Sequence, residues 1–252
     1  MSHLQEFAPN LYLTETQVED FDVRGVVIIG GKRSVVWDTL SHPRDMLPVL
    51  PLLADKYTMI VYSHADWDHI WGTAALPHHE IIGHKKCYER FFADVPTYLQ
   101  DKKAEQPGKW DEVVLAAPTM TFSGQMNLDL GGVTLQLHHL AGHTLDCCVG
   151  FIPEWGVLLA GDTVETPLPI VEEDSPMDVW LQELERWEKD ERVKTVIPSH
   201  GPISDRSLIT RNIAYLKGLF DGSAKDLLPA VMTQFYWDTH EQNLRYAQQK
   251  KP

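Results

Sequence analysis

The stretch TMIVYSHADWDHIWG, residues 58–72, restricts what this chain can fold into more than any other part of it. Its first six residues form an apolar run of the length of a buried strand. Directly after that run, His64, Asp66, Asp68 and His69 fall within six positions, followed by Trp71 and Gly72. Four ionisable side chains cannot continue a buried strand, because an unpaired buried charge is prohibitively costly. Their place is the loop leaving the strand, and in layered α/β proteins such loops are where ligand sites collect.

The same pattern recurs along the chain. His143 stands in the turn AGHTLD after the run VTLQLHHL (133–140), Asp162 closes GVLLAGD (156–162), and His200 ends KTVIPSH. A metal bound by imidazole and carboxylate needs ligands carried by rigid elements and drawn from distant parts of the sequence. Seven residues answer that description: His64, Asp66, Asp68, His69, His143, Asp162 and His200.

The rest of the chain reads as alternating strands and helices. RGVVIIGG (24–31) and RSVVWDT (33–39) form a hairpin or meander, with Asp38 closing the second strand. Leu47, Leu50 and Ala54 predict a helix over 43–55, with Pro43 in its first turn. EIIGH (80–84) is a further strand, and residues 85–115, polar and mostly helical with a break at Pro107 and Gly108, read as a cap that holds none of the seven candidates. Strands follow at 133–140, 147–153 and 156–162. Ser175 and Pro176 open a helix carrying Trp180, Leu184 and Trp187, and Ser175 with Asp178 approximates a capping box. Ile209, Ile213, Leu216 and Phe220 mark another helix, and the tail from Lys225 predicts one more. There is no repeat and no long linker, so one domain over 1–252 is expected.

Composition narrows the partners. The chain has 252 residues, 43% of them hydrophobic, enough for a substantial core. Against 22 Lys and Arg stand 36 Asp and Glu, a formal charge of −14, which disfavours nucleic acid and anionic membranes and leaves a small molecule as the expected partner. The start, MSHLQEFAPNLYL, has no basic segment followed by an apolar one, and no run of about 18 apolar residues exists to span a membrane. Cys87, Cys147 and Cys148 make no disulfide framework and suit a reducing compartment, so the cytoplasm is the expected location. Oligomeric state is not legible.

Taken together, these residues resemble the metallo-β-lactamase fold superfamily, whose signature is H-x-H-x-D-H after a strand, then a histidine in a G-H-T turn, an aspartate in G-D and a late histidine in S-H-G. Here the series is His64, Asp66, Asp68, His69, then His143, Asp162 and His200, with Asp38 at the strand-end aspartate that supports the site from behind. The resemblance runs from about residue 10 to 217. It implies an αββα sandwich of two mixed sheets with helices outside. It also implies two divalent ions, zinc, iron or manganese, one on His64, residue 66 and His143 and the other on Asp68, His69 and His200, with Asp162 shared. Asp68 is in addition taken as the catalytic residue. Hydroxide held between two such cations is a nucleophile at neutral pH, so hydrolysis of a small ester, thioester, lactone or phosphoester is the implied reaction.

The departure is Asp66, where the family usually has histidine. A carboxylate there favours iron or manganese over zinc. The flavodiiron branch is similar in having a carboxylate at this position, which makes a non-haem di-iron oxidoreductase the alternative, although no flavodoxin-like region is present. Asp66 either ligates or stands behind the ligands. His84 either contacts substrate or caps the following helix, and Trp67 and Trp71 either line a pocket or stiffen the ligand loop. Of the adjacent His138 and His139, one is expected to face inward. Cys147 and Cys148 read as small hydrophobes, and Glu172, Glu173 and Asp174 as a solvated stretch before a helix. Unlike the glyoxalase II-like thioesterases, residues 203–252 hold scattered Arg206, Arg211, Lys217, Lys225 and Arg245 but no basic patch before Lys250 and Lys251.

Overall fold

The computed structural model describes residues 2–249, and the basic pair Lys250 and Lys251 lies outside the described residues. Its strands form two mixed sheets with helices around them. The larger sheet runs in chain order: β1 (His3–Ala8), β2 (Leu11–Val18), β3 (Phe21–Ile29), β4 (Arg33–Trp37), β5 (Tyr57–Val61), β6 (Glu80–His84) and β7 (Met120–Phe122). Strands β1 to β4 pair antiparallel, and β4 to β7 pair parallel. The smaller sheet comprises β8 (Gln125–Asp129), β9 (Thr134–His139), β10 (Cys148–Ile152), β11 (Val157–Gly161) and β12 (Thr195–Pro198), in the order β12-β11-β10-β9-β8. By contacts the chain divides into two compact units, Met1–Leu137 and His138–Pro252, each with its own hydrophobic core.

In the first unit, Val26, Val27, Ile28, Val35, Val36 and Trp37 are all buried, so β3 and β4 are covered on both faces. That is why their sequence is a continuous apolar run instead of an alternating one. The crossover between β4 and β5 is a 3-10 turn, Pro43–Val49, and the single turn α1 (Leu50–Leu53), where a longer helix is expected. Pro48 and Pro51 explain the shortfall, since each lacks the amide that an α-helical ladder needs. Helix α2 (Trp67–Ile70) carries two of the candidate ligands. The polar segment after β6 folds into α3 (Lys85–Arg90) and α4 (Val95–Glu105) and then into turns through Gly108 and the buried Trp110. Trp110 packs on Trp67 and Trp71, with ring centroids 5.6 and 5.1 Å apart. The two tryptophans beside the ligands are thus part of a packed aromatic cluster.

In the second unit, α5 (Met177–Lys189) turns Trp180, Leu184 and Trp187 into a core with Val149, Phe151 and Val196. Helix α6 (Ser207–Asp221) ends on Gly222 at φ +90°, a left-handed cap that glycine adopts without cost. Helix α7 is Gln234–Gln249. The capping box expected at Ser175 does not form: Pro176 is the cap residue of α5 and makes no side-chain bond. Ser175 Oγ is engaged elsewhere, donating to the His143 carbonyl at 2.7 Å and accepting from the Glu172 amide at 2.8 Å. Strands β1, β2, β7 and β8 are additions to the sequence reading; β1 is mostly exposed and β7 only three residues long, so neither leaves an apolar signature. No helix among the described residues is long and apolar enough to cross a membrane.

Candidate functional site

Asp38 closes β4 with its backbone at φ +57° and its side chain fully buried. It accepts from the Ser63 amide at 2.7 Å, from Ser63 Oγ at 2.7 Å and from His69 Nδ1 at 3.0 Å. Thr39 adds a second tie, its amide and hydroxyl both donating to the His69 carbonyl. The end of β4 therefore fastens the loop that leaves β5. Because the Ser63 hydroxyl donates to Asp38, Ser63 Oγ accepts from His64 Nδ1 at 2.9 Å. Both histidines thus carry their proton on Nδ1 and present Nε2 as a lone pair.

Those two nitrogens lie beside carboxylates: His64 Nε2 is 3.4 Å from Asp66 Oδ2, and His69 Nε2 is 3.6 Å from Asp68 Oδ2. Imidazole nitrogen next to carboxylate oxygen is a donor set that fits a divalent cation. The four candidates of the first unit are thus brought together. One partner escaped the sequence reading: Arg90, in α3, donates from Nη1 to Asp66 Oδ1 at 2.7 Å. The segment 85–115 is therefore bonded to a candidate ligand although it contributes none. No spacing rule links residues 66 and 90.

In the second unit, β11 and β12 are parallel neighbours, so the residues after their C-terminal ends meet, and His200 Nε2 stands 3.2 Å from Asp162 Oδ2. The turn after His200 is at Gly201, φ +84°, where a Cβ would come within 2.8 Å of Thr166. His143 is aimed separately: its Nδ1 donates to the Ile170 carbonyl at 3.0 Å, which again leaves Nε2 as the lone-pair nitrogen. His143, Asp162 and His200 are all buried. In residue type and burial, each of the seven candidates suits a metal site.

The loop that supplies Ile170 is itself held from the C-terminal helices. Asn212 of α6 accepts from the Glu165 amide and donates to the Glu165 carbonyl, both at 3.0 Å. Asn243 of α7 donates to the Pro169 carbonyl at 2.7 Å and accepts from the Val171 amide at 2.8 Å, gripping the residues on either side of Ile170. Glu165, also unforeseen, is 1% exposed. Burial, followed by the Asp162 carboxylate, pushes its carboxyl up to about 8. Its only mark in the sequence is one acidic residue in an otherwise proline-rich and apolar stretch.

Other candidates have local explanations. His84 Nδ1 accepts from the Lys86 amide, capping α3, and its Nε2 lies 3.2 Å from the Ser123 carbonyl. His138 packs edge-on against Trp187, and His139 Nε2 bonds the Leu145 carbonyl. Cys147 is buried and its thiol is pushed well up by desolvation, the opposite of an activated nucleophile. Glu173 and Asp174 are exposed, as expected of a solvated stretch.

A family profile of the metallo-beta-lactamase superfamily matches residues 20–200. No curated protein matches the chain. Among solved structures, a metallo-beta-lactamase family protein from Thermus thermophilus is similar at TM-score 0.72 and 17% identity, over 97% of this chain and 95% of that one. A metallo-beta-lactamase from Pontibacter korlensis is similar at TM-score 0.66 and 18% identity, over 86% of this chain and 99% of its own. The stereoselective inverting sec-alkylsulfatase Pisa1 from Pseudomonas sp. matches at TM-score 0.73 and 14% identity, over 99% of this chain, and this chain spans 50% of its length. The two mixed sheets with helices around them agree with these structures, as expected of an αββα sandwich.

Proposed function

Because the chain belongs to the metallo-beta-lactamase superfamily, we propose that it is a metal-dependent hydrolase of a small ester, thioester, lactone or phosphoester. In this reading His64, Asp66 and His143 hold one divalent ion, Asp68, His69 and His200 a second, and Asp162 is shared. Asp68 then serves both as ligand and as the catalytic carboxylate. When bound, such ions supply a water of lowered pKa and polarise the carbonyl or phosphoryl under attack. The observation that carries the reading is the common state of three histidines: His64, His69 and His143 each engage Nδ1, with Ser63, Asp38 and Ile170 respectively, and so offer Nε2. Asp38, Ser63 and the Ile170 carbonyl orient ligands and hold their protons away from the metal side.

A second reading, a non-haem di-iron oxidoreductase, is favoured by Asp66 alone. We place the protein in the cytoplasm, which its three free cysteines suit. Protein purified without added metal should contain close to two ions per chain and hydrolyse at least one of the four ester classes or, given the sulfatase among its structural neighbours, an alkyl sulfate. Asp162→Ala should lower metal content and abolish turnover. A mutant retaining both ions at unchanged rate would refute the shared carboxylate. Iron content with oxygen uptake and no hydrolysis would favour the second reading.

A further inference from the structure

We propose that Arg90 is a positioning residue that makes Asp66 serviceable as a metal ligand. The inference rests on the reading above that Asp66 holds the first ion. Asp66 occupies the N-cap position of α2, where aspartate is among the preferred residues, yet its side chain makes no capping bond to that helix. The carboxylate is divided instead: Oδ1 accepts from Arg90 Nη1 at 2.7 Å, and Oδ2 lies 3.4 Å from His64 Nε2. Arg90 is fixed in turn by Asp94, whose Oδ2 accepts from Nε at 3.0 Å and from Nη2 at 2.8 Å.

The planar guanidinium is thus spread across two carboxylates, with Asp94 setting its plane and Nη1 setting Asp66. Aspartate is one methylene shorter than glutamate and has little freedom to reach a cation. The bond to Oδ1 orients the carboxylate so that Oδ2 faces His64, and it withdraws negative charge from the group. An anion-receptor role for Arg90 fits poorly, since two carboxylates already surround one guanidinium and the trio carries a net negative charge. A purely structural role also fits poorly, because a partly exposed ion pair contributes little to stability.

The test uses the full chain loaded with zinc or manganese and read by chelator competition, with melting curves confirming folding. Arg90→Met should weaken the first of the bound ions by roughly 10- to 100-fold and leave the second in place, the usual effect of losing a group that orients a ligand. Arg90→Lys should fall between, and Asp94→Asn should shift affinity in the same direction by less. The cycle with Asp66→Asn separates positioning from structure: in that background Arg90→Met should have no further effect on metal affinity. Equal affinity in folded Arg90→Met, or an undiminished effect in the Asp66→Asn background, overturns the inference alone. A wild-type chain that binds no metal overturns the hydrolase reading and this inference with it. If Arg90→Met does not fold, unchanged affinity in Asp94→Asn is the refuting result.

Discussion

Asp38 and His69, 31 residues apart, share a hydrogen bond of 3.0 Å in which both side chains are fully buried. The same carboxylate serves Ser63 twice, so one aspartate sets the proton position of His69 directly and of His64 through Ser63. Asp38→Ala would strip three buried donors of their acceptor. The expected result is a loss of roughly 3 kcal/mol of stability and a fall in metal affinity of about 10- to 100-fold, read by denaturant melts and chelator competition. Unaltered affinity in a folded variant would show that proton placement at these histidines is set elsewhere.

Asn243 is expected to act on His143, far away in sequence, because it holds the Pro169 carbonyl and the Val171 amide around Ile170. Asn243→Leu removes both bonds while filling the space. It should cost about 2–4 kcal/mol, the range for leaving two buried backbone groups unsatisfied, and should lower the affinity for the ion that His143 holds. Metal titration followed calorimetrically would reveal whether only stability changes.

Gly72 is required by close approach. A Cβ there would collide with the Thr39 carbonyl oxygen, and Thr39 is the residue that holds the His69 carbonyl. Gly72→Ala should destabilise by about 3 kcal/mol or more and reduce metal content, whereas Gly124→Ala, with open space around it, should do neither. Thermal melts of the two variants side by side check this.

Burial lowers the pKa of His42, His138 and His240, with desolvation the largest cause in each. A histidine that resists protonation when folded contributes stability that is full above its unfolded pKa near 6.5 and is lost as pH falls through that value toward the folded pKa. In metal-free protein these three histidines should each take stability away on acidification below about pH 6.5, in the opposite direction to the buried Glu165, whose raised carboxyl adds stability as pH falls from about 8. His138→Phe keeps the ring against Trp187 but cannot titrate, so its stability relative to wild type should rise between about pH 8 and about pH 5.5. A constant difference across that range would remove His138 from the account.

The metal-competent residues were legible because their chemistry is concentrated at the ends of short apolar runs, and strand ends are visible in sequence. The strands at 24–31, 33–39, 58–63 and 80–84 were visible for the same reason, and the pairing of β3 with β4 followed from the short turn between them. What stayed hidden are relations between residues with no periodic signal. Arg90 reads as one charge on a polar helix until its contact with Asp66 is seen, and Asn212 and Asn243 are polar residues whose partners are main-chain atoms of a distant loop. Ser175 misled because a serine before a helix has two common uses, and here the His143 carbonyl claimed it.

The stretch that marks the superfamily ends at residue 200, while the loop behind His143 is anchored by Asn212 and Asn243. The candidate ligands all lie within the matched stretch, whereas two of the side chains that hold the loop carrying Ile170 lie beyond it. If His143 holds metal as proposed, a change in α6 or α7 that touches none of the candidate ligands would still loosen the carbonyl that aims it, so the C-terminal helices would set how firmly an ion is kept.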